Sequence, residues 1–223
     1  MTRSPLETTY DDLPSELPIF PLSGVLLLPR GRLPLQIFEK RYLAMTRDAL
    51  GAAQRLIGMI QPTEKETTQA TNNPPVYKVG CAGRITSFSE TDDGRFLVTL
   101  TGVCRFAVGE ELPSVKGYRR VAPRWDGFAR DFDDPTEVEL DRARLLGGLK
   151  EYFRAHGISA NWEAIEQAPD ERLVTSLAMI CPFEPSEKQA LLEAADLQGC
   201  AQLMTTLIEM ALLADKGGEP ARH

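Results

Sequence analysis

Only two histidines occur in the chain, His156 and the terminal His223, so any Ser–His or Cys–His nucleophile would have to be built around His156. Its setting, Ala155-His156-Gly157, fits the end of a helix, where a cation or donor suits the negative end of the dipole. No Gly-Lys dipeptide occurs. The loop that cradles phosphates with bared backbone N–H groups and a lysine is therefore absent. There is no Gly-x-Ser-x-Gly elbow and no Ser-x-x-Lys. Cys81, Cys104, Cys181 and Cys200 stand far apart among apolar or small neighbours, with no Cys-x-x-Cys pair and no adjacent histidine. They read as four reduced, mostly buried thiols, not as zinc ligands or a disulfide framework. No catalytic residue, metal site or cofactor is assigned.

Carboxylates cluster at Glu90, Asp92 and Asp93 and at Asp131, Asp133 and Asp134, in a turn and a connector. They read as solvated turn formers and caps, because exposed turns lack the desolvation that catalytic carboxylates need. Arg84, Arg105, Arg119 and Arg120 fall on expected strands. Pairing inside the chain with Glu90, Glu110 or Glu111 is the first reading, and gripping a partner's carboxylate or phosphate the alternative.

The elements that would carry these residues divide into a β-rich half and a helical half. Leu17–Leu22, Val25–Leu28 and Leu33–Phe38 are short apolar runs broken by prolines, which belongs to edges and strand ends. Glu39–Ala53 has helical spacing through Tyr42, Leu43, Met45, Ala49 and Leu50, and Arg55–Gln61 reads as a buried strand. Pro62–Pro75 is polar and aperiodic, a mobile surface loop. A hairpin follows: Val79, Cys81 and Ile85 share a parity, Phe96, Val98 and Leu100 share another, and Asp92-Asp93-Gly94 supplies positive φ angles at the turn. Alternation continues through Cys104, Phe106 and Val108, and Tyr118–Trp125 is the last strand.

From the Asp126–Asp134 connector onward the signals are helical. Asp134-Pro135-Thr136-Glu137 looks like a helix start, with Leu145, Leu149, Tyr152 and Phe153 as its apolar stripe. A second helix is expected over about Asp170–Ile180, ended by Cys181-Pro182. A third is capped by Ser186 and runs to Ala195. A fourth runs near Cys200–Ala214 with Leu203, Leu207, Met210 and Ala211 on one face. The expected division is a flexible tail over 1–14, a β-rich subdomain over 15–130, a helical bundle over 131–216 and a flexible tail over 217–223.

The net charge of −7 is unevenly placed: residues 1–130 hold 17 basic and 14 acidic side chains, the remainder 8 and 18. An acidic second half repels a phosphate backbone, so nucleic acid is not the expected partner. No run approaches the ~18 consecutive apolar residues of a membrane span. The N-terminus has no apolar core like a secretory signal, so the expected compartment is the cytoplasm.

Leu17–Phe38 reads LPIFPLSGVLLLPRGRLPLQIF and is followed at once by EKRYLAM, Glu39–Met45. This string resembles the opening of the Lon protease N-terminal, substrate-binding domain. The similarity continues through Gly83–Phe106 and Leu177–Ala194, covering about residues 17 to 215. The last segment resembles stand-alone bacterial members lacking the ATPase and protease domains. One departure is visible: the turn glycine expected after Pro29 is displaced by Arg30, with Gly31 next. The resemblance implies an α+β chain, a PUA-like β pseudo-barrel followed by a C-terminal helical bundle. Within Phe38-Glu39-Lys40-Arg41-Tyr42, Glu39 is expected to satisfy helix N–H groups and Tyr42 to pack inward.

These readings lead to a non-enzymatic polypeptide-binding or adaptor module in protein quality control, monomer or weak dimer, with unfolded or tagged polypeptides as partners and Lon itself as a candidate. The candidate contact surface is the proline-flanked turn carrying Leu28, Pro29, Arg30, Arg32, Leu33 and Leu35, where apolar side chains sit beside charges. Core burial of Leu28 and Leu35 is the competing account. A hydrolase with a site around Arg84, Arg105 or His156, and an RNA-binding PUA-like module, are the alternatives.

Overall fold

Six strands form one sheet in the order β2-β5-β4-β3-β1-β6, and β6 returns to pair with β5, closing five of them into a barrel. The structure, a computed structural model, describes residues 8–63, 73–133 and 138–217. The strands are β1 (Leu17–Pro21), β2 (Arg32–Ile37), β3 (Leu56–Ile60), β4 (Val79–Glu90), β5 (Phe96–Val115) and β6 (Tyr118–Arg124). Strand β5 makes closure possible through its length: on one edge it holds β4, and on the other first β2 and then β6. Only the β1–β3 pairing is parallel. It is bridged by the crossover that contains β2 and helix α1 (Lys40–Gly51), as parallel neighbours require.

Side chains from the two faces of the barrel wall divide between two buried clusters. Leu17 and Ile19 of β1, Leu56 and Ile60 of β3, Ala82 of β4, Phe106 of β5 and Val121 of β6 form one buried cluster. Contributors from all five strands of a closed ring can meet only inside it. The other face belongs to a larger cluster that also contains the helices, so Leu100 and Ile85 share a core with Leu173 and Leu177. The β-rich and helical halves therefore share one continuous core across the connector near residue 130.

The helical half follows a 3-10 helix, Asp126–Phe132. It comprises α2 (Arg142–Ala155), α3 (Trp162–Gln167), α4 (Asp170–Ile180), α5 (Pro185–Glu193) and α6 (Leu197–Gly217). The stripe Leu145, Leu149, Tyr152 and Phe153 is buried as expected. Helix α2 starts later than the Asp-Pro signal: Asp141 is its N-cap and accepts the Arg144 N–H at 3.0 Å. Asp134–Glu137, most of the Pro62–Pro75 loop, residues 1–7 and residues 218–223 lie outside the described residues.

Several expectations are corrected. Val25–Leu28 is no strand but a loop whose leucines 26–28 are buried. Thr8–Pro14 is not a free tail: Tyr10 packs edge-on against Phe132, and the Trp125 indole donates to the Pro14 carbonyl at 3.0 Å. Helix α5 begins at Pro185, not Ser186, with Glu184 and Glu187 forming its capping box. In α6 the buried side is Cys200, Ala201, Met204 and Ile208, while Met210 is 61% exposed. Its Leu197–Ala214 stretch is long and apolar enough to span a membrane by length and composition. Leu203, Leu207 and Ala211 pack against the core beside them, so apolar residues lie on several sides of α6. At the hairpin only Gly94 has positive φ, and the Gly94 N–H returns to the Thr91 carbonyl at 2.9 Å. The turn is a three-residue loop ending in a left-handed glycine, not a two-residue one.

The Leu26–Gly31 loop is held between the sheet and α4. The Arg30 N–H donates to the Gly102 carbonyl and the Gly102 N–H to the Gly31 carbonyl, both at 2.8 Å. A Cβ at Gly102 would stand 2.0 Å from the Leu28 carbonyl oxygen, and one at Gly31 would stand 2.3 Å from the Met179 sulfur. Gly102→Ala is accordingly expected to displace the loop at a cost of about 1–3 kcal/mol. Urea unfolding measures this directly, and an unchanged midpoint would show that the loop gives way freely.

Burial of the thiols has a consequence for alkaline stability. All four cysteines are free and buried. Desolvation pushes Cys104, Cys181 and Cys200 up to about 12, and Cys81 well above the ordinary value. Unfolded thiols ionise near pH 9 while the folded ones stay protonated, so this contribution is constant below pH 9 and is lost as pH rises toward 12. The expected slope is about 1.4 kcal/mol per pH unit for each thiol. Replacing Cys200 by Ala should make the fall between pH 9 and 12 shallower in pH-dependent unfolding; an unaltered slope would count against the linkage.

Candidate functional site

Arg105 projects from β5 into the seam between barrel and helices, where its side chain is 11% exposed and that of Asp131 is 6% exposed. The guanidinium reaches both Asp131 oxygens, with Nη2 at 2.8 Å from Oδ1 and Nε at 3.1 Å from Oδ2. The Arg105 backbone N–H donates to the same carboxylate at 2.8 Å. Its remaining N–H groups donate to the Leu192 carbonyl at 3.2 Å and the Ala194 carbonyl at 2.5 Å. These carbonyls belong to the end of α5 and have no onward helical partner. The ring of Phe128 lies 5.1 Å from the guanidinium carbon. Asp131 is thus no solvated turn former, as expected from its setting, but half of a buried ion pair.

Beside this pair opens a pocket of about 330 Å³, walled by the Leu28–Arg30 loop, the 3-10 helix, the first turns of α4 and the α5–α6 junction. Its apolar surface comes from Leu28, Leu191, Leu192, Leu197 and Cys200, and its polar groups include Thr175, Arg130, Asp133 and Asp196. Arg30 is the non-glycine departure noted in the sequence, and it takes the left-handed conformation at φ 63°. Its guanidinium contacts Glu171 at 3.3 Å and the Asp133 carbonyl. The side chain that replaces the turn glycine therefore ties the loop to both walls of the pocket.

The six candidate contact residues separate into two groups. Leu28, Pro29 and Arg30 line the pocket. Leu28 is 6% exposed and belongs to the core, so it is not the exposed apolar residue that the turn implied. Arg32, Leu33 and Leu35 lie on β2. There Arg32, Pro34 and Gln36 are exposed, while Leu33 and Leu35 are half-buried opposite Leu100 and Val98. Among the described residues no strand pairs with the outer edge of β2. A proline within a strand belongs at such an edge, where its missing N–H faces away from the sheet. Phe38, just past β2, is 64% exposed and Phe88 of β4 is 41% exposed.

The other singled-out groups are structural. Arg119 pairs with Glu111 at 2.7 Å, as the sequence allowed, whereas Arg120 takes Glu16 at 2.6 Å and Arg84 the Thr8 hydroxyl at 2.9 Å. His156 is the C-cap of α2, with Nδ1 2.9 Å from the Tyr152 carbonyl. Glu39 stands at the N-cap of α1 but its carboxylate engages Arg41 at 2.9 Å and makes no capping bond. Tyr42 packs inward on Phe20, ring centroids 4.1 Å apart. No group of three or more metal-ligating side chains occurs among the described residues. Thr175, Arg130 and Asp133 carried no sequence signal, because the pocket draws single residues from separate segments.

The fold is a closed barrel with a packed helical cap, an open edge strand among the described residues and a pocket at the seam. The chain belongs to the family of the ATP-dependent protease La (LON) substrate-binding domain, whose model matches residues 16–209. It is similar to Lon protease 2 of Myxococcus xanthus, 27% identical over an alignment of 218 positions that covers 89% of this chain and 24% of that protein. The Lon protease of Anaeromyxobacter dehalogenans is 26% identical over 212 residues, 92% of this chain and 24% of that one. The chain spans about a quarter of the length of these relatives. A Lon N-terminal domain protein from Xanthomonas campestris shares the fold with a TM-score of 0.54 and 22% identity, over 89% of this chain and 97% of that one. The N-terminal domain of Mycobacterium avium complex Lon protease gives 0.56 and 13% over 87% and 98%.

Removing one partner of the buried pair leaves the other charged without compensation. Arg105→Met is expected to cost about 3–5 kcal/mol. The double variant Arg105→Met/Asp131→Leu should recover most of that loss in urea unfolding. A double variant as unstable as the single one would show that Arg105 acts mainly through the α5 carbonyls.

Proposed function

We propose that the chain is a non-catalytic polypeptide-binding or adaptor module of cytoplasmic protein quality control, taking unfolded or tagged polypeptides, with Lon protease as its candidate partner. The observation that carries this reading is the unpaired edge of β2. An extended segment laid against it would gain main-chain hydrogen bonds, the mode by which sheet edges take up peptides with little regard to sequence. Leu33, Leu35 and Phe38 offer apolar contact beside that edge, and Arg32 borders it. The substrate-binding family of the chain supports the same reading.

The chemistry of the seam argues against a hydrolase there. Cys200, the thiol lining the pocket, is pushed up to about 12 and so stays protonated at neutral pH. Arg105 is fully engaged by Asp131 and by carbonyls. His156 is engaged in ending α2.

The test uses a reduced, alkylated and permanently unfolded polypeptide as the probe. Gln36→Pro removes an edge N–H of the same parity as Pro34 and is expected to weaken binding about fivefold, the value of one hydrogen bond of ~1 kcal/mol. Phe38→Asp should weaken it further, and the exposure of that ring keeps the variant folded. Leu33→Asp should abolish binding, and because Leu33 is half-buried its folded state must be verified by circular dichroism. Undiminished affinity in folded Gln36→Pro and Phe38→Asp would remove the edge from the reading. Absence of binding by the native chain would remove the reading itself.

A further inference from the structure

We propose that the seam pocket is a receptor for a small zwitterion with an apolar side chain, an apolar amino acid or dipeptide bearing both a free ammonium and a free carboxylate. The site is separate from the β2 edge, and the inference does not depend on polypeptide capture.

Three features of the pocket specify this chemistry. The first is its apolar surface from Leu28, Leu191, Leu192, Leu197 and Cys200 within about 330 Å³, room for one or two aliphatic side chains. The second is Thr175, which lines the pocket while only 7% exposed. Among the described residues its hydroxyl has no hydrogen-bond partner, and no fully buried side-chain oxygen or nitrogen lacks one. The hydroxyl must therefore keep its open surface toward the pocket, where a ligand would satisfy it.

The third feature is the balance of charge. Arg105 is paired with Asp131 and Arg30 with Glu171, while the fourth carboxylate of the lining, Asp196, is offset by the positive end of α6, accepting the Gly199 N–H there at 2.8 Å. Arg130 and Asp133 remain, without side-chain partners among the described residues. They stand one turn apart in the 3-10 helix, the Asp133 N–H donating to the Arg130 carbonyl at 3.1 Å. One free cation and one free anion match a ligand carrying one of each. A simple anion would meet Asp133 unrelieved, and a simple cation would meet Arg130. The Arg30 side chain closes one side by reaching Glu171 and the Asp133 carbonyl, so the space fits a free small molecule better than a chain continuing in both directions.

Titration calorimetry on the native chain at pH 7 tests this with L-leucine, L-phenylalanine and leucyl-leucine against N-acetyl-leucine, leucinamide and glycine. The apolar zwitterions should bind, the two singly charged analogues at least about tenfold more weakly, and glycine not measurably. Arg130→Gln should bring leucine down to the level of leucinamide, and Thr175→Val should weaken it about fivefold. Thermal unfolding of both variants without ligand should match the native chain, since neither side chain has a partner to lose. Tighter binding of leucine than of leucyl-leucine, or the reverse, identifies the ligand length and supports the inference either way. Equal binding of the blocked analogues, indifference to Arg130→Gln, or no heat from any compound up to its solubility limit would overturn it. Gln36→Pro should leave all these affinities unchanged, which separates failure here from failure of the edge.

Discussion

The bond between Arg105 and Asp131 joins three parts of the fold: the barrel strand β5, the 3-10 connector and the end of α5. Burying two opposite charges costs several kcal/mol each in lost hydration, recovered only where every remaining donor and acceptor is also satisfied. Here they are. The arginine uses the carboxylate for one edge of its guanidinium and the α5 carbonyls for the other, so one side chain ends a helix and attaches it to the sheet. The pocket lies beside this bond and takes two of its lining residues from it.

The same device recurs around the helical half. Arg142 of α2 donates to the carbonyls of Ile165, Glu166 and Ala168 at the end of α3. Lys188 of α5 donates to the Met179 carbonyl in the last turn of α4 at 3.2 Å and to the Gly24 carbonyl of the β1–β2 connection at 2.9 Å. Burial holds the Lys188 pKa below the usual lysine value. Three consecutive helices, α3 to α5, thus end on a cation supplied by another element, where orphan carbonyls and the negative pole of the dipole favour it. This explains how helices of 6, 11 and 9 residues, too short to be stable alone, hold fixed positions. Around Lys188, Gln61 and Gln189 complete a buried polar clasp, with Gln61 donating to the Pro185 carbonyl at 2.9 Å and Gln189 to the Val79 carbonyl at 3.1 Å.

What the sequence made legible follows from the range of each interaction. Strands β4 and β5 announce themselves by local alternation, β1, β2 and β3 as short apolar runs, and α4 by its period and the proline behind it, because burial is a local constraint. Val25–Leu28 looks like a strand for the same reason, since burial alone does not reveal whether a neighbour is there to pair. Asp131, Glu16 and Gly24, which Arg105, Arg120 and Lys188 reach, lie 26 to more than 160 residues from them. No spacing rule reaches that far. The departure at Arg30 was visible, but its meaning was not: a non-glycine residue held at positive φ needs compensation, and Glu171 and the Asp133 carbonyl that supply it are set by the fold.

Leu28, Pro29 and Arg30 line the pocket, and Arg32 begins the edge strand one residue after Gly31. The turn singled out in the sequence is therefore the link between two surfaces rather than one surface itself. Gly31 is closely approached by the Met179 sulfur, and its carbonyl accepts the Gly102 N–H, so the turn is held against both α4 and β5. Left-handed backbone at a non-glycine residue stores about 1–3 kcal/mol, and the contacts of Arg30 hold that strain in place. A glycine in its place would carry neither the strain nor the strap, so the loop that lines the pocket is fixed by the Arg30 side chain itself.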